Sequence, residues 1–304
     1  DSDVRHWRFV HESLVEMQGR LEDRNGILYL FHSEVIPVFQ ALAKAYEIKS
    51  IFSHEEIGNG LSFERDKVVA AFCASEKIAW RETSTGGVVR RLKSRKAWQQ
   101  HWDKTMRSEP FFVRENHWNL LSLEAAFYAA LRGPELPVEF RIRNPIFQEG
   151  GEYWGWKYMK SFIETRHTTY SSSISKPEAS RRACSRISPY LTYGNISMRM
   201  VYTYTHQHFK SAANKRALQN FISRLHWQGH FMQKFEDESR MEFEPVNKAY
   251  QALVKYRDPA LIQAWEQGKT GVPLIDACMR CVVATGYLYI RMRAIVVSFF
   301  VINL

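Results

Sequence analysis

The sequence predicts two structural classes in one chain, an α/β N-terminal part built on a parallel sheet and an all-α C-terminal part. Three observations carry this expectation. Over residues 1–108 short apolar runs alternate with helical patterns, and strands that alternate with helices imply βαβ units. Between 109 and 152 the pattern breaks up around Pro110, Pro134, Pro137, Pro145 and Gly150-Gly151, as a surface connector would. After Tyr153 no strand pattern survives.

Taken in order, residues 4–21 have helical periodicity and 27–32 (Ile-Leu-Tyr-Leu-Phe-His) form a short apolar run of strand type. Residues 35–46 are helical again, Ile51-Phe52 sit in a second apolar run, 63–75 are helical, and a weak strand follows near 78–80. The basic block at 90–96 reads as a solvated face, with a phosphate contact as the alternative. A helix carrying Trp98 and Trp102 follows. Beyond the connector, helices are expected near 154–165, 188–193, 197–209, 216–235, 246–254, 259–266, 273–285 and from 288 onward. The expected domains are therefore 1–108, a linker at 109–152, and 153–304. Both ends read as cut. No strand precedes the first helix to start a sheet, and the apolar last helix has no C-terminal stop signal.

Composition narrows the classes. With 304 residues, 45% apolar and 14% aromatic, the chain has a globular composition, which argues against disorder. No apolar run reaches the about 20 residues of a membrane helix, and no basic-then-apolar leader opens the sequence. Four cysteines (Cys73, Cys184, Cys278, Cys281) are too few for a disulfide scaffold and suit a reducing compartment. The expected location is cytoplasmic or nuclear, not secreted. Lys plus Arg number 42 against 32 Asp plus Glu, a net charge of +10. An excess of that size points to a polyanion such as nucleic acid, or to a generally basic surface.

Several short motifs resolve to ordinary structure. Gly268-Lys269-Thr270 resembles the tail of a phosphate loop, but position 263 is Gln where the cradle needs Gly, so it reads as a loop and helix cap at Thr270. Cys278 and Cys281 have metal spacing without a second pair, and read as two buried small apolar residues. His226 and His230 are four apart on a helix, yet Trp227 stands where the zincin pattern needs Glu. No metal site is expected. Asn59-Gly60 is a turn signal.

Two segments carry more. In 216–235, Leu218, Phe221, Ile222, Leu225, Met232 and Phe235 fall on one stripe at period 3.6, the core face. Arg224, Trp227 and Phe231 share a second face roughly opposite. An aromatic bracketed by Arg and His there suits stacking of a planar ring or base, or packing against another helix. In the segment from Arg181 to Tyr190, Ser188 is placed to cap a helix with Pro189 at its first position. A helix start with Ser and Arg nearby suits a diphosphate, although capped helix starts are common.

At these residues the sequence resembles the photolyase/cryptochrome family. The strongest segments are Arg-Ile-Ser-Pro-Tyr-Leu-Thr-Tyr-Gly-Asn-Ile-Ser (186–197), Ser-Arg-Leu-His-Trp-Gln-Gly-His-Phe (223–231), Trp-Glu-Gln-Gly-Lys-Thr-Gly-Val-Pro-Leu-Ile-Asp-Ala-Cys-Met-Arg (265–280) and Thr-Gly-Tyr-Leu-Tyr-Ile-Arg-Met-Arg (285–293). The resemblance covers essentially the whole chain. It implies a Rossmann-like α/β domain lacking its first strands, about fifty residues of family sequence before Asp1, and a helical FAD-binding domain continuing beyond 304. By the same resemblance Tyr170 and the segment Cys184, Ser185, Arg186, Ile187, Ser188 would wrap the FAD diphosphate and ribityl chain, and Arg293 would lie beside the flavin. Phe221, Arg224 and Gln228 match cofactor-side positions. Trp227 matches the tryptophan that stacks on a flipped pyrimidine dimer, and His226, His230, Phe231, Ile290 and Arg291 match positions near DNA.

The sequence departs from the family pattern at several of these places. Family members often have Thr where Cys184 stands, and many repair enzymes have Glu for Arg224, Arg for Gln228 and Asn for Ile290. The implied activity is light-driven splitting of cyclobutane pyrimidine dimers by electron transfer from reduced FAD, a carbon–carbon lyase. The alternative is a cryptochrome-type blue-light receptor using the same pocket without repair. DNA containing pyrimidine dimers is the expected partner, with no membrane, a monomer favoured, and a second antenna chromophore of unidentified type left open.

Overall fold

A computed structural model of the chain describes residues 2–111, 119–253 and 257–304. Parts of the expected linker and the end of the expected 246–254 helix therefore lie outside the described residues. The chain opens on α1 (Val4–Glu22), where the Asp3 side chain accepts from the Arg5 amide and the His6 ring accepts from the Asp3 amide. This satisfies N–H groups that a helix start leaves unpaired. Next come α2 (Val35–Ala45), β1 (Ser50–His54), α3 (Gly60–Ser75) and β2 (Ala79–Thr83). The two strands pair in parallel, Ser50 opposite Ala79 through His54 opposite Thr83, with α3 as the crossover. The Asn59-Gly60 turn signal is the cap of α3, for Asn59 accepts from the Ser62 amide.

The run 27–32 has no regular secondary structure and pairs with no strand among the described residues. Its backbone is answered from the connector instead. The Tyr128 hydroxyl meets both the amide and the carbonyl of Leu30, and the His32 amide donates to the Arg132 carbonyl. The expected third strand is therefore corrected to a segment without regular secondary structure, held by groups about a hundred positions away in sequence.

Helix α4 (Trp98–Arg107) follows, then two short connector helices, α5 (Ala125–Leu131) and α6 (Val138–Arg141). The helical part comprises α7 (Glu152–Glu164), α8 (Tyr170–Ser173), α9 (Pro177–Ala183), α10 (Ser188–Thr192), α11 (Met198–His208), α12 (Lys215–Asp237), α13 (Pro259–Glu266), α14 (Pro273–Thr285) and α15 (Ile290–Asn303). The expected helix at 246–254 is a short 3-10 turn, Lys248–Ala252, capped by Asn247. Asp276 accepts from the Thr270 amide and hydroxyl and from the Gly271 amide, which fixes the loop at 268–272. Helix α14 begins after Val272, so Thr270 is part of that loop and not the cap.

The main core joins α4 to the helical part. Trp98, Trp102 and Met106 of α4 are buried with Phe162, Val201, Leu218, Phe221, Ile222 and Leu225. Trp102 meets Tyr202 edge to face at 5.7 Å. This close packing depends on Gly229 of α12, where a Cβ would stand 2.8 Å from the Trp102 indole nitrogen. Of the predicted α12 stripe, Leu218, Phe221, Ile222 and Leu225 are buried, whereas Met232 and Phe235 are only partly so. Gln233 takes the buried place at that end. It accepts from the Val89 amide, donates to the Val89 carbonyl and donates to Asp237. Buried polar groups require such partners, and here they tie α12 to the segment leaving β2. Cys278 is buried, Cys281 is partly exposed, and the four cysteines are free. Among the described residues no single helix is long and apolar enough to cross a membrane.

Candidate functional site

Helix α12 presents two unlike sides. Its inner side is sealed by the core. Trp227 on its outer side is 51% exposed and meets Phe231 edge to face at 6.0 Å. The Arg224 guanidinium lies 4.9 Å from the centre of the Trp227 ring. Trp227 therefore has a π surface facing solvent, with a cation already attracted to the ring. The periodicity that set Arg224, Trp227 and Phe231 on one face holds in three dimensions.

From Arg224 a chain of contacts runs inward. Tyr170 of α8 is buried, and its neighbours include Cys184, Arg224 and Tyr287. Burial and then Cys184 push the Tyr170 phenol up to about 12, so it stays a neutral donor at any ordinary pH. Tyr287, in the loop between α14 and α15, faces Cys184 and is likewise pushed up to about 12 by burial. The Arg186 guanidinium stacks 3.8 Å from the Tyr287 ring centre. Arg186 adopts a left-handed backbone (φ 64°), a conformation uncommon outside glycine. It is held by exchange with Gln148, which accepts from its side chain and donates to its carbonyl.

Behind the 184–188 turn, Arg166 donates to the carbonyls of Tyr158, Arg182, Cys184 and Ser185. Burial lowers the proton affinity of both Arg166 and Arg186. Among the described residues, Arg166, Arg181, Arg186, Arg224 and Arg293 form no ion pair with a carboxylate. Arg166, Arg181 and Arg186 are partly buried and Arg224 and Arg293 exposed; cations without a carboxylate partner beside neutral phenols are a donor set that fits a diphosphate. A cavity of about 450 Å³ lined by Arg166, Thr169, Arg182 and Ala183, with the carboxylate of Glu178 also in its wall, flanks this turn.

Other predicted residues fall as follows. Phe221 and Ile187 belong to the buried core, with Phe221 against Phe162 at 4.8 Å and Tyr170 at 6.5 Å. Ser185 and Gln228 are partly buried, and Ser188 is exposed. Helix α10 has Ile187 at its cap and no side-chain cap bond, so the expected Ser188 cap is corrected. Ile290, Arg291 and Arg293 start α15 on the exposed side, with Arg293 anchored by donation to the Leu288 carbonyl. His226 and His230 turn away from Trp227 toward α4. The His226 ring packs on Trp98 at 5.2 Å and Trp102 at 4.8 Å, and the His230 ring on Trp98 at 5.9 Å. Sequence reasoning missed Arg166 and Tyr287. Tyr287 lay inside a quoted motif, while nothing local marks Arg166.

Comparison with known proteins bears on the fold and the family. The family model described as DNA photolyase matches residues 1–105, and that described as the FAD binding domain of DNA photolyase matches 221–304. A deoxyribodipyrimidine photo-lyase from Alkalihalophilus pseudofirmus is 22% identical over 97% of this chain and 62% of its own length. Cryptochrome-2 of Arabidopsis thaliana is 30% identical over 60% of this chain and 32% of its own. An archaeal photolyase from Sulfolobus tokodaii, solved with two FAD molecules and an implied novel light-harvesting cofactor, superposes with a TM-score of 0.73 at 21% identity, over 99% of this chain and 64% of that one. The chain thus spans less than two thirds of the length of these relatives. The two-strand parallel sheet, the helical part with its cationic cluster and both family models lead to one assignment: the chain belongs to the photolyase/cryptochrome family of flavoproteins.

Proposed function

We propose that this chain is the core of a light-dependent DNA repair flavoprotein that splits cyclobutane pyrimidine dimers. The observation that carries the reading is the half-exposed Trp227 ring, one helical turn from Arg224 and joined through Tyr170 to the uncompensated arginine cluster. FAD, when bound, supplies the electron that opens the dimer; the protein's part is to bind, orient and exclude water. Arg166 orders the carbonyls of the 184–185 turn, leaving the Arg186 side and the neutral Tyr170 and Tyr287 hydroxyls to meet the cofactor's polar groups. Trp227 offers a face to a base taken out of its stack, and extrusion costs least for an already weakened, damaged pair. The net charge of +10 supplies sequence-independent attraction to the strand.

One observation favours a blue-light receptor as the second reading. Arg224 lies against the Trp227 ring at the position where many repair enzymes of the family have Glu, so no carboxylate stands there to meet a lesion. The deciding experiment illuminates the FAD-loaded, chemically reduced protein with an oligonucleotide holding one thymine dimer and measures restored thymines. Repair that requires light and falls at least tenfold in Trp227→Ala supports the proposal. DNA binding without light-dependent restoration overturns it in favour of the receptor.

A further inference from the structure

Beside the exposed ridge of α12 runs a groove that the site described above does not use. Ser223 and His226, the neighbours of Arg224 and Trp227 in sequence, line a cavity of about 360 Å³ together with Gln219, Asp103, Arg107 and His206. Arg107, Tyr202 and His206 also line a second cavity of about 520 Å³ with Thr203 and Gln207. The two cavities therefore adjoin across Arg107, Tyr202 and His206, the first between α4, α11 and α12 and the second between α4 and α11. Asp103 gives the first cavity mixed charge, whereas no carboxylate lines the second.

The chemistry of that second cavity is one-sided. Arg107 and His206 are exposed, and the Arg107 side chain makes no hydrogen bond or ion pair to another described residue. Burial, and after it the adjoining Arg107 charge, holds His206 below the usual histidine range. A cation left unpaired beside a hydroxyl, an amide and a second basic ring is the donor set of a phosphate contact. In the first cavity the polar lining includes Gln99, Gln219 and Ser223, neutral groups that can meet phosphate or sugar oxygens.

We propose that this groove is a phosphate track, and that its occupant is the backbone of a nucleic-acid strand whose base reaches Trp227. Charge complementarity and continuity with the α12 ridge select the strand over a free anion. The inference rests on the nucleic-acid reading given above. It adds the direction in which the strand leaves the site, over the exposed Ser223, one helical turn before Trp227, toward Arg107 and His206.

The test measures binding of a fluorescein-labelled single-stranded oligothymidylate by anisotropy across a salt series, using the whole chain. Each phosphate contact on a single strand contributes about 0.7 to the slope of log affinity against log salt, so Arg107→Gln should flatten the slope by about that amount and weaken binding about fivefold at 0.1 M salt. Trp227→Ala should weaken binding at an unchanged slope. Melting temperature and circular dichroism of Arg107→Gln check that the exposed substitution leaves the fold intact. An unchanged slope and affinity in Arg107→Gln, with Trp227→Ala still impaired, overturns the track and leaves the base-stacking reading standing. Absence of salt-dependent binding by the parent chain overturns both. Inorganic phosphate at millimolar concentration, followed through the His206 ring proton resonances, is the control arm. A saturable shift with an oligonucleotide slope unaffected by Arg107→Gln assigns the site to a free anion and overturns the strand.

Discussion

The sheet region and the helical region differ in how much of themselves they cover. Around the two strands the core has, among the described residues, four buried members, Val69, Phe72, Cys73 and Ile78, and Phe52 of β1 is 72% exposed. Among the described residues, the core joining α4 to α7, α11 and α12 has nineteen buried residues, several with no exposure at all. The lesson is that order in this chain radiates from α12. One side of that helix is sealed by Trp98, Trp102 and the helical core, and the rigidity so gained is what holds Trp227 and Arg224 out on the other side. A binding group supported in this way is more precise than one on a loop.

The largest effect that separates the two regions is expected at Phe162, fully buried between Tyr170 and Phe221. Phe162→Ala should cost about 3–5 kcal/mol in denaturant unfolding, because the emptied space cannot collapse among neighbouring rings. Next is Gln233, which bridges the regions. Gln233→Ala strands the amide and carbonyl of Val89, and should cost about 1–3 kcal/mol. A loss below 0.5 kcal/mol would show that the segment after β2 does not depend on α12.

Alkaline titration sharpens the comparison within the helical region. Tyr170 and Tyr287 are raised to about 12 in the folded chain, against about 10 for a free phenol. Between these values the unfolded chain ionises and the folded chain does not, so their contribution to stability is complete below pH 10 and is lost as pH rises to about 12. Burial pushes Tyr190 up further still, so phenolate absorbance at least three equivalents short of the tyrosine count at pH 11 fits this; full ionisation at pH 11 without unfolding contradicts it. The smallest effect is expected at Phe52. Phe52→Ser should change stability by about 0.5 kcal/mol or less. A large loss there would mean that the sheet is more deeply supported than its burial indicates.

How much of this was legible in the sequence follows from the range of the interactions. Periodicity is local, so the two faces of α12 were readable, including the outward Trp227 and the buried Leu218 and Leu225. The cap at Asn59 was visible as a turn signal for the same reason. The run at 27–32 looked like a strand because its composition is that of one. Its partners, the Tyr128 hydroxyl and the Arg132 carbonyl, lie too far along the chain for any pattern to reveal. Gln233 was invisible because a buried amide is distinguished only by what it bonds, here the backbone of Val89. Arg166 escaped for the same reason, since its four carbonyl partners are a product of the fold. The turn of His226 and His230 toward Trp98 depends on the docking of α4, which no spacing within α12 encodes.

The central claim is that Trp227 serves a guest and not the protein's own packing. The measurement that addresses it most directly compares FAD content and affinity for a dimer-containing oligonucleotide in the parent and in Trp227→Ala. Stacking of one base on an aromatic side chain contributes about 1–3 kcal/mol, so affinity should fall about 5- to 150-fold, while flavin content and melting temperature stay as in the parent. Equal loss of flavin, stability and DNA affinity would mean that the indole is a packing element, and the account would be wrong.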